Sequence, residues 1–368
     1  MKAAAHGLVI GKFYPPHAGH KLLVQTAAGQ CERVTVVVMA ASHESLALTD
    51  RVDWMREIHR EDAGVIVTGI VDDVPVDYGD PDIWAQHVAL MKEALASVRA
   101  PAVDAVFTSE PYGEELARRF DARAVSIDAA RLLVPVSATR IRNDVAASWH
   151  FLEGPVRAAL ALKVMVVGAE STGTTTLSLD LAEALRRQGG ADGLTRWVPE
   201  YGRAYSVQKV ADAVAQAQLR GAPTPGFAQM SWSTDEFVQI ARRQHEMQAA
   251  EARIGGPVLV CDTDVFATGV WHERYLGSRC QAVEALAEQG RGDLYLLTHH
   301  DGVPFEQDGI RDGEAIRAWM TQRFIERLRE TGRPYLVLDG SREQRLAQAA
   351  AAVRELRAKA WQFARPLG

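Results

Sequence analysis

The feature that most constrains this chain is a short apolar segment that runs into a glycine and then into a helix-like sequence, and it occurs twice. Residues 7–10 (GLVI) precede Gly11, and residues 162–167 (LKVMVV) precede Gly168. A buried strand that ends in a glycine turn before a helix opens an α/β nucleotide site, because the backbone of such a turn can approach phosphate closely. Two such openings in 368 residues, at roughly 150 residues per domain, predict two α/β domains.

The spacing of apolar residues supports this fold class. Residues 84–98 and 316–328 repeat apolar side chains at the three-and-four spacing of a helix, and an Ala-rich helix is predicted over residues 346–363. Further strands are predicted at 34–39, 65–70, 105–108, 258–261, 294–297 and 335–338. Alternating strands and helices predict parallel sheets, in one domain over residues 1–150 and a second over residues 160–368. The polar stretch 208–233, which contains Gly and Pro, is predicted to be a mobile excursion.

Composition excludes several classes of protein. The net charge is −6, from 41 Lys+Arg and 47 Asp+Glu, which argues against a general nucleic-acid binder. The longest apolar run, residues 34–41, is far shorter than the ~20 residues of a membrane span. Three cysteines without CxxC spacing predict free thiols in a reducing compartment. We therefore expect a soluble, cytoplasmic protein with no nucleic-acid or membrane partner, and the sequence leaves the oligomeric state open, a homo-oligomer included.

Residues 11–20 (GKFYPPHAGH) carry the first chemical pattern. Gly11 lets the backbone approach a ligand, and Gly19 leaves room at the start of the following helix. His17 and His20 are three residues apart, so both can face one ligand at the positive end of that helix. Two imidazoles placed there can donate hydrogen bonds to phosphate oxygens.

Residues 136–142 (VSATRIR) carry a second anion-binding pattern. Ser137 and Thr139 are small hydroxyl residues at a predicted helix start, and Arg142 follows one turn later. Hydroxyls and a guanidinium in this arrangement can bind phosphate. Taken alone, the two hydroxyl residues are equally typical of an ordinary helix N-cap.

The two patterns together resemble the signatures GxFxPxHxGH and ISxTxxR of the HIGH-type nucleotidyltransferases. Residues 106–114 (VFTSEPYGE) further resemble the VFSSEPYG segment of the bifunctional nicotinamide-nucleotide adenylyltransferase/ribosylnicotinamide kinases. The resemblance implies that the first domain transfers AMP from ATP to nicotinamide mononucleotide with Mg²⁺, releases pyrophosphate and forms no covalent intermediate. Catalytic roles would fall to Lys12, His17, His20 and Arg142, and ATP binding to Gly11, Phe13, Gly19, Ser137 and Thr139.

The resemblance also implies a mononucleotide site formed by Arg51, Trp84, Thr108, Ser109 and Glu110. An indole, of Trp84 or of Trp54, would stack on the nicotinamide ring. The alternative for either Trp is packing in the core, and the alternative for Arg51 is a solvated surface charge.

The second opening, residues 168–175 (GAESTGTT), fits the P-loop pattern GxxxxGK[ST] at every fixed position except one, because Thr174 stands in place of the Lys. The backbone of such a loop cradles phosphates, and Thr175 would bind Mg²⁺. The missing Lys implies weakened use of ATP, a substitute cation such as Arg203 or Arg311, or an inactive site. The predicted ATP-binding residues are Gly168, Glu170, Ser171, Thr172, Gly173, Thr174, Thr175 and Thr176.

Three further segments are similar to the kinase domain of the same bifunctional family. Residues 197–203 (WVPEYGR) resemble its EYxR segment, residues 260–264 (VCDTD) a Walker B strand, and residues 307–312 (QDGIRD) its QDGxRD segment. The resemblance implies nucleoside binding by Glu200, Tyr201, Arg203 and Asp264, Mg²⁺ binding by Thr175 and Asp262, and catalytic roles for Asp262 and Arg311. Residues 340–342 would contact adenine. The alternatives are structural roles: the aspartates would be helix caps, and Arg311 would be a surface charge.

These observations predict a nucleotidyltransferase domain followed by a P-loop ribosylnicotinamide kinase domain, with ATP, nicotinamide mononucleotide, ribosylnicotinamide and NAD as ligands. The helix-turn-helix module that some family members carry is not expected, since six residues precede the first strand. Three rival hypotheses stay open. They are an adenylyltransferase whose P-loop domain only senses nucleotides, transfer to another mononucleotide or phosphopantetheine, and a non-enzymatic regulator that binds pyridine nucleotides.

Overall fold

The computed structural model describes residues 2–308, 311 and 313–367. The chain divides into two compact units, the first formed by Met1–Ala159 with Trp361–Gly368 and the second by Leu160–Ala360. The last residues of the chain therefore belong to the first unit, whereas the sequence assigned them to the second domain. Among the described residues, no helix is both long and apolar enough to cross a bilayer.

The first unit is built on a five-stranded sheet in which all neighbouring strands are parallel. Its strands are β1 (Ala4–Gly11), β2 (Cys31–Ala40), β3 (Val65–Val71), β4 (Ala105–Thr108) and β5 (Arg123–Ser126). Its helices are α1 (Ala18–Gln30), α2 (Leu48–Ile58), α3 (Pro81–Ser97), α4 (Gly113–Arg119), α5 (Ala138–Asn143) and α6 (Gly154–Leu160). The strand order β3-β2-β1-β4-β5 reverses direction at β1, so a crevice opens beyond the carboxyl ends of β1 and β4.

Alternation along β1 divides the first unit's core between the two faces of the sheet. Val9 packs into an apolar cluster with residues of α1 and α2, and Leu8 packs into a second cluster with residues of α3 and α4. The three-and-four spacing predicted for residues 84–98 is confirmed, because Trp84, Met91 and Leu95 on α3 are buried. A sheet covered by helices on both faces leaves its strand ends free to form a site.

The second unit repeats the architecture with strand order β10-β9-β6-β8-β7, again with all neighbouring strands parallel. Its strands are β6 (Leu162–Gly168), β7 (Arg196–Val198), β8 (Val258–Asp262), β9 (Leu294–Thr298) and β10 (Tyr335–Leu338). Its helices are α7 (Thr174–Arg186), α8 (Tyr201–Leu219), α9 (Thr234–Ile254), α10 (Val265–Leu276), α11 (Gln281–Gln289), α12 (Arg317–Glu330) and α13 (Arg342–Lys359). The predicted α/β fold class with two parallel sheets is confirmed.

Two local predictions are wrong. Residues 208–219, expected to begin a mobile excursion, continue helix α8; none of the residues of this helix is buried, so no apolar stripe marked it in the sequence. The closing helix begins at Arg342, after a capping box between Ser341 and Gln344, and ends at Lys359. Residues 360–363, predicted to be helical, lie beyond it.

Candidate active sites

Two stacked imidazoles mark the start of α1. His17 is the N-cap residue: its Nδ1 accepts a hydrogen bond from the backbone N–H of His20 at 3.4 Å, and Nδ1 of His20 accepts one from the N–H of His17 at 3.3 Å. The ring centroids are 3.6 Å apart. Because both Nδ1 atoms accept, both protons lie on Nε2, and each ring presents one donor.

The environment keeps both rings neutral. Burial lowers the pKa of His17 to about 3, and the Arg131 charge acts in the same direction. Burial, with His17 and Arg131 nearby, also holds the pKa of His20 well below its usual range. At neutral pH the pair therefore offers two neutral N–H donors at a helix N-terminus, which suits phosphate oxygens. Gly19 leaves the space, since a Cβ there would lie 3.1 Å from the His17 ring.

Arg142 is held beside this pair by the turn after β1. It donates to the carbonyl of Tyr14 at 2.6 Å and to Oγ1 of Thr139 at 3.1 Å, and its guanidinium lies 5.0 Å from the Tyr14 ring centroid. Ser137 is the N-cap of α5 and accepts from the N–H of Arg140, so its alternative reading as a cap is confirmed.

These side chains surround a cavity of about 600 Å³ beyond the carboxyl ends of β1 and β4. Tyr78, Tyr112, Asp72, His87 and Arg131, which the sequence analysis missed, also line it. Trp84 donates Nε1–H to the carbonyl of Tyr78 at 3.2 Å and is nearly buried, so it serves both the core and the cavity wall. The cavity brings together the predicted residues Gly11, Lys12, Phe13, His17, Gly19, His20, Trp84, Thr108, Ser109, Glu110, Ser137, Thr139 and Arg142.

Three predicted mononucleotide contacts at the end of β4 are engaged with protein groups. Oγ1 of Thr108 accepts from the N–H of Glu110 at 2.9 Å, Ser109 donates to the carbonyl of Ile127 at 2.7 Å, and Glu110 pairs with Arg131 at 2.9 Å. All three residues line the cavity, and these bonds fix the positions of their side chains.

Arg51 is placed differently from its prediction. Its side chain is fully buried, pairs with Glu44 at 2.6 Å and donates to the carbonyl of Lys12 at 3.0 Å. Its guanidinium also lies 4.3 Å from the Tyr14 ring centroid. Arg51 is not among the residues that line the cavity, and its burial contradicts the alternative of a solvated charge. Its contacts brace the turn that carries Lys12 and Tyr14.

The second site begins at the loop between β6 and α7. Ser171 and Gly173 have φ angles of 56° and 87°, which turn the loop back towards the helix start. Gly168 is required, because a Cβ there would lie 2.3 Å from Oγ1 of Thr298. Thr172 bonds to the carbonyl of Ala169 and to Thr298, both at 2.7 Å, so its hydroxyl holds the loop together.

Thr175 and Asp262 meet where the loop faces the end of β8. The Thr175 hydroxyl donates to Oδ2 of Asp262 at 2.5 Å. Burial raises the pKa of the Asp262 carboxyl, and hydrogen bonds from Thr175 and Thr174 oppose that rise. A hydroxyl and a carboxylate are hard oxygen donors, the kind that Mg²⁺ prefers.

Two cavities flank this loop. One, of about 140 Å³, is lined by Glu200, Arg203, Asp262 and by aromatic residues that the sequence analysis missed, namely Phe227, Trp232, Phe237, Trp271 and Tyr275. The other, of about 500 Å³, is lined by residues 171–177 and by Gly340, Ser341 and Arg342. Arg311 lines both. The loop therefore separates a space suited to a nucleoside ring from one suited to a nucleotide.

Charged side chains around the smaller cavity set its electrostatics. Burial and the nearby Asp262 raise the pKa of Glu200 to about 7. Arg203 forms an ion pair with Asp308, and Arg311 donates to the carboxylate of Glu306 at 3.1 Å. Glu170 also lines this cavity and accepts from the N–H of Gly313 at 2.6 Å. The remaining residues of the QDGxRD segment, Gly309, Ile310 and Asp312, lie outside the described residues.

Two predicted nucleoside ligands do not reach either cavity. Asp264 is fully buried as the N-cap of α10, where it accepts from the N–H of Ala267 at 2.9 Å and from the Tyr295 hydroxyl at 2.8 Å. Asp264 is therefore a helix cap, which is the alternative that the sequence also allowed. Tyr201 begins α8, and its N–H donates to Gln244 at 2.8 Å.

Comparison with known proteins agrees with this geometry. A family model described as an AAA domain matches residues 163–345. The chain is 22% identical to the trifunctional NAD biosynthesis/regulator protein NadR of Salmonella typhimurium, over 88% of this chain and 76% of that protein. It is also 22% identical to NadR of Escherichia coli, over 95% of this chain and 83% of that protein. The chain is thus similar to these NadR proteins over most of its length.

Solved NadR structures share the fold. A NadR crystal structure in complex with NR superposes with a TM-score of 0.69 at 21% identity, covering 96% of this chain and 97% of that one. A NadR structure in complex with NAD and AMP-PNP gives a TM-score of 0.66 at 20% identity, with the same coverage. The two α/β units of this chain thus share the fold of these NadR structures.

Proposed function

We propose that this chain catalyses two steps of NAD formation, one in each unit. The first unit joins nicotinamide mononucleotide to AMP from ATP, and the second phosphorylates ribosylnicotinamide with ATP. The observation that carries the proposal is the pair of nucleotide sites at the ends of two separate sheets, one with the stacked His17 and His20 and one with the P-loop facing Asp262. The three cysteines are free and buried, which suits the reducing cytoplasm where we place both reactions.

Adenylyl transfer needs positioned donors and no general base. A phosphate oxygen of the mononucleotide attacks the α-phosphorus of ATP, the bond to the β-phosphate oxygen breaks, and pyrophosphate leaves with that electron pair. Nε2–H of His17 and of His20 donate to the oxygens on which charge builds up, and Lys12 and Arg142 supply positive charge around them. Mg²⁺ would add charge neutralisation at the leaving pyrophosphate. The attacking oxygen is already ionised, so no side chain has to remove a proton.

Phosphorylation of the nucleoside uses the second cavity pair. The hydroxyl of ribosylnicotinamide attacks the γ-phosphorus, ADP leaves, and the Glu200 carboxylate accepts the hydroxyl proton. Thr175 and Asp262 would hold Mg²⁺, which neutralises charge on the β- and γ-phosphates when it is bound. The aromatic rings of Trp232 and Tyr275, 5.4 Å apart, offer a surface for the nicotinamide ring.

The missing P-loop Lys favours a second candidate function for the P-loop unit. Thr174 lines the cavity but carries no charge, so a phosphate there relies on Arg203 and Arg311. If those charges do not suffice, the unit binds nucleotides without phosphoryl transfer and serves as a sensor. Both readings keep adenylyl transfer in the first unit.

One experiment tests the whole proposal. Purified protein is incubated with ATP and Mg²⁺ and with one acceptor at a time, namely nicotinamide mononucleotide, nicotinate mononucleotide, phosphopantetheine or ribosylnicotinamide, and the products are separated. We expect NAD and pyrophosphate from the first acceptor and the mononucleotide plus ADP from the last. Preference for another acceptor would reassign the substrate, and failure with every acceptor would contradict the proposal.

A further inference from the structure

Residues 361–367 form a tail that follows α13, the last helix of the second unit, and packs on the first unit. The N–H of Ala364 donates to Oγ of Ser45 at 2.7 Å, and its carbonyl accepts from the Tyr14 hydroxyl at 3.1 Å. A ring nitrogen of His43 lies 2.9 Å from the carbonyl of Arg365. Phe363 packs edge-on against Tyr14, with ring centroids 5.8 Å apart. The tail is thus fixed through both its backbone and a side chain.

The tail ends at the cavity that contains His17 and His20. Pro366 and Leu367 line that cavity, and the carbonyl of Leu367 accepts a hydrogen bond from Nζ of Lys12. On its other side, Nζ of Lys12 lies 3.8 Å from the Glu44 carboxylate. An ammonium group has three donors, and the Leu367 carbonyl takes one of them. Glu44 attracts Nζ by its charge without a hydrogen bond, so two N–H groups remain for a ligand.

We infer that residues 361–367 are a positioning segment of the adenylyl-transfer site, in which the Leu367 carbonyl aims Lys12 at the phosphates of ATP. Tyr14 supports the same conclusion, because the tail covers it while its carbonyl and ring hold Arg142. The inference rests on the proposed adenylyl transfer in the first unit. A flexible Lys held in one direction by fixed oxygens loses less rotamer freedom when a phosphate binds, which favours binding.

Deletion of residues 366–368 from the full chain tests this role. The deletion removes the carbonyl that holds Lys12 and leaves the contacts of Phe363 and Ala364 in place. Loss of one hydrogen bond to a charged group should raise the KM for ATP in NAD formation about tenfold. The KM for nicotinamide mononucleotide should stay at the wild-type value. The rate of ribosylnicotinamide phosphorylation should also be unchanged. Lys359→Ala, an exposed position at the end of α13 and outside the tail, is the matched control.

A double-mutant cycle separates positioning from simple stabilisation. If the tail acts through Lys12, the deletion should have no further effect on the KM for ATP in a Lys12→Ala protein. An unchanged KM for ATP after the deletion, or an equal further loss in the Lys12→Ala background, would overturn the inference. Wild-type protein that makes no NAD at all would instead overturn the proposed function, so the two failures are distinguishable.

Discussion

At the scale of single residues, the sites depend on which atoms remain available after the fold has used the others. His17 and His20 use their Nδ1 atoms on each other's backbone N–H groups, so only Nε2–H is left for a ligand. Arg51 and Asp264 also have side chains that could bind a ligand. Arg51 instead forms an ion pair with Glu44, and Asp264 caps the start of α10. Residue type alone does not show whether a side chain stays available to a ligand or is bound to another part of the protein.

We predict that His20→Ala reduces the kcat of NAD formation by about 10²–10³-fold, as expected for loss of one positioned donor to developing charge. Steady-state rates with ATP and nicotinamide mononucleotide measure this. His150→Ala, an exposed imidazole in the same unit, should behave like wild type. A folded His20→Ala protein with near-normal turnover would remove this residue from the mechanism.

Arg51→Ala should act on stability. Removing one partner of a buried ion pair leaves the other charge uncompensated, which costs about 3–5 kcal/mol. We expect the free energy of unfolding of the first unit to fall by that amount in a denaturant titration. At a temperature where the variant is folded, the KM for nicotinamide mononucleotide should change little. A large rise in that KM without loss of stability would restore the phosphate-binding role.

Glu200 should give the kinase its pH dependence. Its pKa is raised to about 7, so the carboxyl is largely protonated below pH 7 and ionised above it. Since only the ionised form accepts the hydroxyl proton, kcat/KM for ribosylnicotinamide should rise with pH through about 7 and level off above it. Glu200→Gln should lower the rate and abolish this rise. A profile that keeps the same rise in Glu200→Gln would assign it to another group.

At the scale of elements, each site is a loop held between a strand end and a helix start. The P-loop illustrates how much of this support comes from distant parts of the chain. Arg345 on α13 is nearly buried and donates to the carbonyl of Thr172 at 2.9 Å and to that of His299 at 3.0 Å. The loop therefore keeps its shape with Thr174 in place of Lys, and only the charge has to be supplied elsewhere.

We predict that Arg311 supplies that charge, because it lines both cavities beside the loop. Arg311→Ala should reduce ribosylnicotinamide phosphorylation by about 10²-fold or more. Arg203→Ala should have a smaller effect, and Arg187→Ala, an exposed arginine on the same unit, none. If the wild-type protein does not phosphorylate ribosylnicotinamide and Thr174→Lys does, the hypothesis of a nucleotide sensor would be supported instead.

The elements also show what the sequence predicts and where it stops. Glycine turns after apolar strands, the His17/His20 pair and the P-loop are local patterns, and all were predicted from neighbouring residues. Strand β7 has only three residues and α8 buries none, so neither has a periodic apolar signal. The burial of Arg51 and the aromatic lining around Trp232 depend on contacts between separate elements, which no local pattern encodes.

At the scale of the molecule, the two candidate active sites have separate strands, loops and charged groups. Asp262→Ala should therefore abolish ribosylnicotinamide phosphorylation and leave NAD formation from nicotinamide mononucleotide and ATP within about twofold of wild type. Parallel assays of one protein preparation measure both rates. Equal loss of both activities in a folded variant would contradict separate sites.

The path of the chain has a consequence for how the protein is made. The second unit is inserted within the sequence of the first, which begins before residue 160 and is completed by the tail after residue 360. On the ribosome, the sheet of the first unit can form early, but the tail that holds Lys12 is synthesised only after the whole second unit. A nascent chain therefore acquires its P-loop unit before its adenylyl-transfer site is complete. A gene fragment that ends at residue 159 encodes that site without Pro366 and Leu367, the tail residues that line its cavity.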